Sequence, residues 1–196
     1  MISCILLSAG HSSRFGKPKA LAKINSQTVI DYLLGNLAAS NLDEIIVVLG
    51  AQADEIKSHI LKHSKVRIVY NKDYNLGQTS SFKAGVRAVQ RDCKGIMLMP
   101  VDYPFVKLET INSLIEFFIL KSPQILIPTF DRKRGHPPLF SCELKTSFLE
   151  MDNSVGINTL EHEHESELVF LPIGDQGVVE TFNTQEEFEL LKNRFL

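Results

Sequence analysis

The sequence predicts an α/β fold: a doubly wound, mainly parallel sheet with helices on both faces. Short apolar runs of strand length alternate with helical patterns along the chain. Some of these runs, such as EIIVVLG (44–50), are apolar throughout, the signature of a strand buried on both faces. No internal repeat, low-complexity tract or linker interrupts the 196 residues, so 1–196 is read as one domain.

The elements follow in order. SCILLS (3–8) is too short for a helix and stops at Ala-Gly, so it reads as the first strand. TVIDYLLGNLAAS (28–40) places Val29, Ile30, Leu33, Leu34 and Leu37 on one helical face. The strand 44–50 follows, then a helix over 53–63 and a strand VRIVY over 66–70. SSFKAGVRAVQR (80–91) carries Phe82, Val86 and Val89 on one stripe, and GIMLMPV (95–101) is another buried strand. LETINSLIEFFILK (108–121) is a helix and QILIPTF (124–130) a strand. Prolines in HPPLFS (136–141) mark a short strand near a sheet edge. ELVFLP (167–172) and GVVETF (177–182) read as late strands. The terminal helix 184–196 opens with a capping box, Thr184 with Glu187 three residues on.

Composition excludes several classes. Apolar residues make up 44% and charged residues 22%, as in ordinary globular proteins. A formal charge of −2 argues against a generally basic nucleic-acid binder. The apolar stretch INSLIEFFIL falls short of the ~20 residues of a membrane span and contains Glu116. The start of the chain lacks a basic, long-apolar leader pattern. Cys4, Cys93 and Cys142 are odd in number and far apart, so no disulfide framework or CxxC pair is read from them. Cys4, within an apolar run, is expected to be buried. These observations together point to a cytoplasmic protein without membrane or nucleic-acid partners. His162 and His164 in EHEHE (161–165) are two apart and diverge on a helix, so this stretch reads as a solvated acidic turn rather than a metal site.

The chemistry concentrates in SAGHSSRFGKPKAL (8–21), directly after the first strand. It holds Gly10, Gly16, Arg14, Lys17 and Lys19, and no acid. A dinucleotide fingerprint fails because His11 and Ser12 follow Gly10. A P-loop fails because five residues separate the glycines and Pro18 follows Lys17. The physical content remains: glycines admit backbone N–H groups close to a ligand, and Arg14 and Lys19 suit phosphate oxygens. Open α/β sheets bind ligands beyond the carboxyl ends of their strands. VDYP (101–104) leaves such an end as well, placing the Asp102 carboxylate where a hard cation can sit.

Four segments resemble the MobA-like nucleotidyltransferases, most closely the molybdenum cofactor cytidylyltransferase branch. SAGHSSRFGKPKAL is similar to that family's L-A-A-G-x-S-x-R-F-G-x-P-K signature. NKDYNLGQTSSFKAGV (71–86), MPVDYPFV (99–106) and RGHPPLF (134–140) are similar to its N-x(5)-G-x-x-S-S-x-x-A-G, G-D-x-P and R-G-x-P-V-x-F segments. The resemblance implies a Rossmann-like sheet of the nucleotide-diphospho-sugar transferase type. It further implies an enzyme moving a nucleoside monophosphate onto a phosphate-bearing acceptor such as molybdopterin, with release of pyrophosphate.

On that resemblance Ser8, Ala9, Gly10, Arg14, Lys19, Gly77, Ser80 and Ser81 bind the nucleotide, although Ser80 and Ser81 would also serve as plain helix caps. Arg14, Lys19 and Asp102 carry catalysis. Asp102 and Asn183 hold Mg²⁺, with Asn183 standing where the family has an aspartate. Arg134, Gly135 and His136 face the acceptor. Ala9, where guanylyl-transferring members favour glycine, tilts the nucleotide towards CTP. DNSVGINTL (152–160) lacks the family's G-D-x-G-A-R, which leaves the acceptor open. The alternatives are a sugar- or polyol-phosphate nucleotidyltransferase and a non-catalytic nucleotide-binding chaperone of a molybdoenzyme, which would then be its partner.

Overall fold

In the computed structural model, which describes residues 1–196, the chain runs β1 (Ile2–Ser8), β2 (Lys23–Ile24), β3 (Gln27–Thr28), α1 (Val29–Ala39), β4 (Glu44–Leu49), α2 (Ala53–Lys57), β5 (Val66–Tyr70), α3 (Gln78–Ala88), β6 (Gly95–Pro100), α4 (Leu108–Lys121), β7 (Ile125–Phe130), β8 (Lys133–Arg134), β9 (Leu139–Ser141), α5 (Lys145–Glu150), α6 (Asn158–Glu163), β10 (Leu168–Pro172) and α7 (Gln185–Phe195). The main sheet has the order β10-β7-β9-β6-β1-β4-β5, with β8 added beside β7. β1, β4, β5 and β6 are parallel, β10 is parallel to β7, and β9 runs antiparallel between β6 and β7.

The uninterrupted apolar strands acquire two faces because side chains alternate along a strand. Cys4, Leu6, Ile45, Val47, Met97 and Met99 join one core with α1, α4 and α7. Ile5, Leu7, Ile46, Val48, Ile96 and Leu98 join the other with α3, α5 and α6. Cys4 is fully buried, and burial pushes its thiol pKa far up. The carboxyl ends of β1 and β6 lie side by side, with Leu7 opposite Pro100. The connection from β1 leads one way along the sheet, to β4, and that from β6 the other way, to β7, which makes this the switch point at which such sheets bind ligands.

Several expectations need correction. HPPLFS does not make an edge strand: only 139–141 pair, and β9 is internal. Pro137 and Pro138 fall outside the paired stretch, so neither removes a ladder donor. GVVETF is not a strand; Gln176–Val179 form a 3-10 turn, started by Asp175 accepting from the Gly177 amide. The helix expected over 53–63 ends at Lys57, and that expected over 80–91 spans 78–88. The EHEHE stretch closes α6 and enters a 3-10 turn. Cys93 and Cys142 form a disulfide. The antiparallel pairing of Gly95 with Ser141 brings these residues together across 49 positions of sequence, a proximity that spacing does not reveal. The cysteines therefore no longer argue for a reducing compartment. No helix is long and apolar enough to cross a membrane.

Candidate nucleotide site

The cleft begins where β1 runs out. Its first loop is held by local turns: the Phe15 and Gly16 amides donate to the Ser12 carbonyl, and the Lys19 amide donates to Ser12 Oγ at 3.1 Å. Phe15 is the anchor. It is buried and meets Phe182 and Phe188 edge-on, with centroids 5.4 and 5.9 Å away. These three rings clamp the loop to the start of α7, so residues about 170 positions apart share one site. Thr184 and Glu187 form the expected capping box there, and Glu187 also accepts from the Asn183 amide. That bond holds the Glu187 carboxyl below the usual glutamate range.

Four polar side chains converge as a result. Lys19 Nζ lies 2.8 Å from Asp102 Oδ2 and 3.0 Å from Asn183 Oδ1. Arg14 donates to the same Asn183 oxygen at 2.9 Å. Lys19 also sits over the Phe182 ring, 5.3 Å from its centroid. These residues stand at one end of a cleft of about 490 Å³. Ser8, Ala9 and Gly10 form its floor. Gly77, Gln78 and Ser81 form a wall at the start of α3. The Ala9 carbonyl is taken by the Ala51 amide, leaving its N–H for a ligand. Nothing in the protein itself demands glycine at position 10: an added Cβ would meet no atom within 4 Å.

Gly77 precedes α3 with φ +100°, a conformation that glycine alone adopts readily. Gly77 and Gln78 line the cleft, so α3 begins there and its partial positive end lies at the cleft wall. The two serines differ. Ser80 is turned into the protein, donating to the Asp73 and Gly77 carbonyls and accepting from Asn71, and is absent from the cleft wall. Its structural part is therefore capping and bracing. Ser81 lines the cleft, oriented by the Asn71 amide at 3.0 Å.

The residues expected on the acceptor side stand apart from this cleft. Arg134 is half-exposed, over the Phe170 ring and 3.6 Å from Glu161. Burial raises the Glu161 carboxyl's pKa, an effect that Arg134 opposes. Gly135 fits against Val178, whose carbonyl would lie 2.6 Å from an added Cβ, so its glycine is a packing requirement. His136 packs on Tyr103 at 4.4 Å, and its buried Nδ1 lacks a protein partner. Burial depresses the His136 pKa, only partly offset by the Asp102 charge. It is therefore a neutral hydrogen-bonding group at pH 7, and Arg134 is the charged member of the pair. Tyr103, next to Asp102, joins the two areas and was not singled out in the sequence. Neither were His11, Tyr74 and Asn75, which close the far end of the cleft through a 2.7 Å bond from the His11 ring to Asn75.

A cationic cleft at the switch point of a doubly wound sheet, with one carboxylate at its edge, defines an α/β protein built for a phosphate-bearing ligand. Comparison with known proteins then gives the family. The model of the MobA-like NTP transferase domain matches residues 4–168, and the chain belongs to that family of nucleotidyltransferases. The molybdenum cofactor cytidylyltransferase of Escherichia coli K12 is 27% identical over 99% of this chain and 97% of its own length. A Bacillus anthracis protein named "Probable molybdenum cofactor guanylyltransferase" is 32% identical over 57% of this chain and 54% of its own. The Rv0371c protein of Mycobacterium tuberculosis, solved in complex with manganese, shares the fold: TM-score 0.81 at 23% identity, covering 98% of each chain.

Proposed function

We propose that the protein transfers a nucleoside monophosphate, CMP from CTP, to the terminal phosphate of a molybdopterin-type acceptor and releases pyrophosphate. The observation that carries this reading is the convergence of Arg14, Lys19, Asp102 and Asn183 at the phosphate end of a nucleotide-sized cleft. The near-full-length similarity to a cytidylyltransferase and alanine at position 9 favour CTP.

In the reaction an acceptor phosphate oxygen forms a bond to the α-phosphorus while the bond to the bridging oxygen of pyrophosphate breaks. Arg14 and Lys19 hold the triphosphate and offset charge on the departing pyrophosphate. The amides at the start of α3 and at Ala9–Gly10 position the nucleotide. A phosphate monoester is already largely dianionic near pH 7, its second pKa being about 6, so no general base is required. Asp102 Oδ2 and Asn183 Oδ1 converge on a single cationic atom, Lys19 Nζ, which fits them as a pair of oxygen ligands for Mg²⁺. When bound there, Mg²⁺ supplies charge neutralisation across the phosphates. Arg134 and neutral His136 orient the acceptor. A nucleoside triphosphate co-substrate suits a protein working in the cytoplasm.

Pyrophosphate release from each of the four NTPs with Mg²⁺ tests this, using molybdopterin, a sugar 1-phosphate and a polyol phosphate as acceptors. Release that requires CTP and molybdopterin is expected. Release with a sugar or polyol phosphate instead would replace the acceptor, and CTP binding without release from any would leave a nucleotide-binding chaperone.

A further inference from the structure

The same two oxygens assigned to the divalent cation are already bonded to a cation belonging to the protein. Lys19 Nζ takes Asp102 Oδ2 and Asn183 Oδ1 together, and its side chain is only 12% exposed. The Phe182 ring beneath it and Arg14 beside it complete the enclosure. The backbone of Lys19 is fixed: its amide is bonded to Ser12, and it begins a 3-10 turn, Lys19–Leu21, whose Ala20 is buried. Only the side chain is free to leave. A divalent ion at these oxygens would meet the ammonium at contact distance and be repelled, most strongly where solvent is partly excluded.

We infer that Lys19 is a placeholder cation that makes divalent binding conditional on the nucleotide. This inference rests on the nucleotidyl-transfer reading above. While Lys19 holds the two oxygens, the half-buried Asp102 charge is paired and the metal position is blocked. An incoming triphosphate offers Lys19 stronger partners, its own oxygens, and draws the ammonium off Asp102. The divalent ion then settles on Asp102 and Asn183 with the phosphates, so the two ligands bind with positive coupling. Lys19 thus has two opposed effects: it promotes capture of the nucleotide and suppresses capture of the bare metal.

The experiment measures Mn²⁺ binding to the full chain by water-proton relaxation enhancement, with and without CTP and with no acceptor present. Wild type is expected to bind Mn²⁺ weakly alone and tightly with CTP. Lys19→Met is expected to bind Mn²⁺ alone about tenfold more tightly than wild type or better, because the repulsion is gone. Lys19→Arg, which keeps the charge, should stay as weak as wild type, and Asp102→Asn added to Lys19→Met should cancel the gain. No gain in Lys19→Met, with CTP still recruiting Mn²⁺ to wild type, would overturn the placeholder while leaving the nucleotide site standing. Failure of CTP to recruit Mn²⁺ to wild type, or recruitment indifferent to Asp102→Asn, would overturn the site reading itself.

Discussion

The two rims of the sheet handle charge in opposite ways. At the amino-terminal rim every partner is fixed. The buried Glu44 accepts from Ser3 Oγ at 2.9 Å and from the Arg67 guanidinium, which also reaches the Ala88 carbonyl. The Ile2 amide donates to Asp43, and the Cys93–Cys142 bond ties neighbouring loops. At the carboxyl rim the partners belong to loops and carry an excess of positive charge around one aspartate. The first arrangement completes the fold. On the proposed function the second is provisional, since Arg14 and Lys19 would exchange these partners for phosphate oxygens.

Substitutions at each rim should therefore separate activity from stability. The largest effect is expected from Asp102→Asn, which removes the one carboxylate at the cleft's edge. Transfer should fall by about a hundredfold to a thousandfold in a pyrophosphate-release assay, with the melting temperature unchanged. Loss of stability with retained turnover would reverse the roles of the rims. Next is Arg67→Met, which leaves Glu44 buried with Ser3 alone. Unfolding in urea should show a loss of about 3 kcal/mol, and Tm should drop by roughly 6–12 °C, with CTP affinity intact.

Replacing Cys93 and Cys142 together by serine frees a long chain loop in the unfolded state. A loss of about 2–4 kcal/mol is expected in non-reducing calorimetry, again without effect on the nucleotide.

The smallest effect concerns pH. His136 has its pKa lowered by burial, so below its ordinary value the unfolded chain takes up a proton that the native protein resists. Its contribution to stability is present above that value and lost as pH falls through it towards the folded-state value. His136→Gln should flatten the decline of Tm between neutral and mildly acid pH, and an unchanged decline would mean that His136 titrates freely.

This comparison also shows what a sequence can carry. The central strands were legible because burial on both faces leaves continuous apolar runs such as IIVVL and IMLM. The first loop and Asp102 were legible because their chemistry is local: cations and glycines within a few residues, and an acid just after a strand. Asn183 was placed only through a family resemblance. The clamp of Phe15, Phe182 and Phe188 was invisible, since nothing in FG or TFN signals a contact across most of the chain. The disulfide was hidden for the same reason. GVVETF misled because a short β-branched and aromatic run reports burial but not a neighbouring strand, and Val178 instead gives its carbonyl to the His136 amide. Ser80 and Ser81 look alike in sequence, and only the fold turns one inward to Asp73 and the other towards the cleft.

The most direct test of the account is calorimetric titration of CTP with Mg²⁺ into wild type and into Arg14→Ala combined with Lys19→Ala. Clear binding to wild type and its loss in the double variant are expected, with the fold retained by circular dichroism. Equal affinity in the two proteins would show that the nucleotide is held elsewhere and would contradict it.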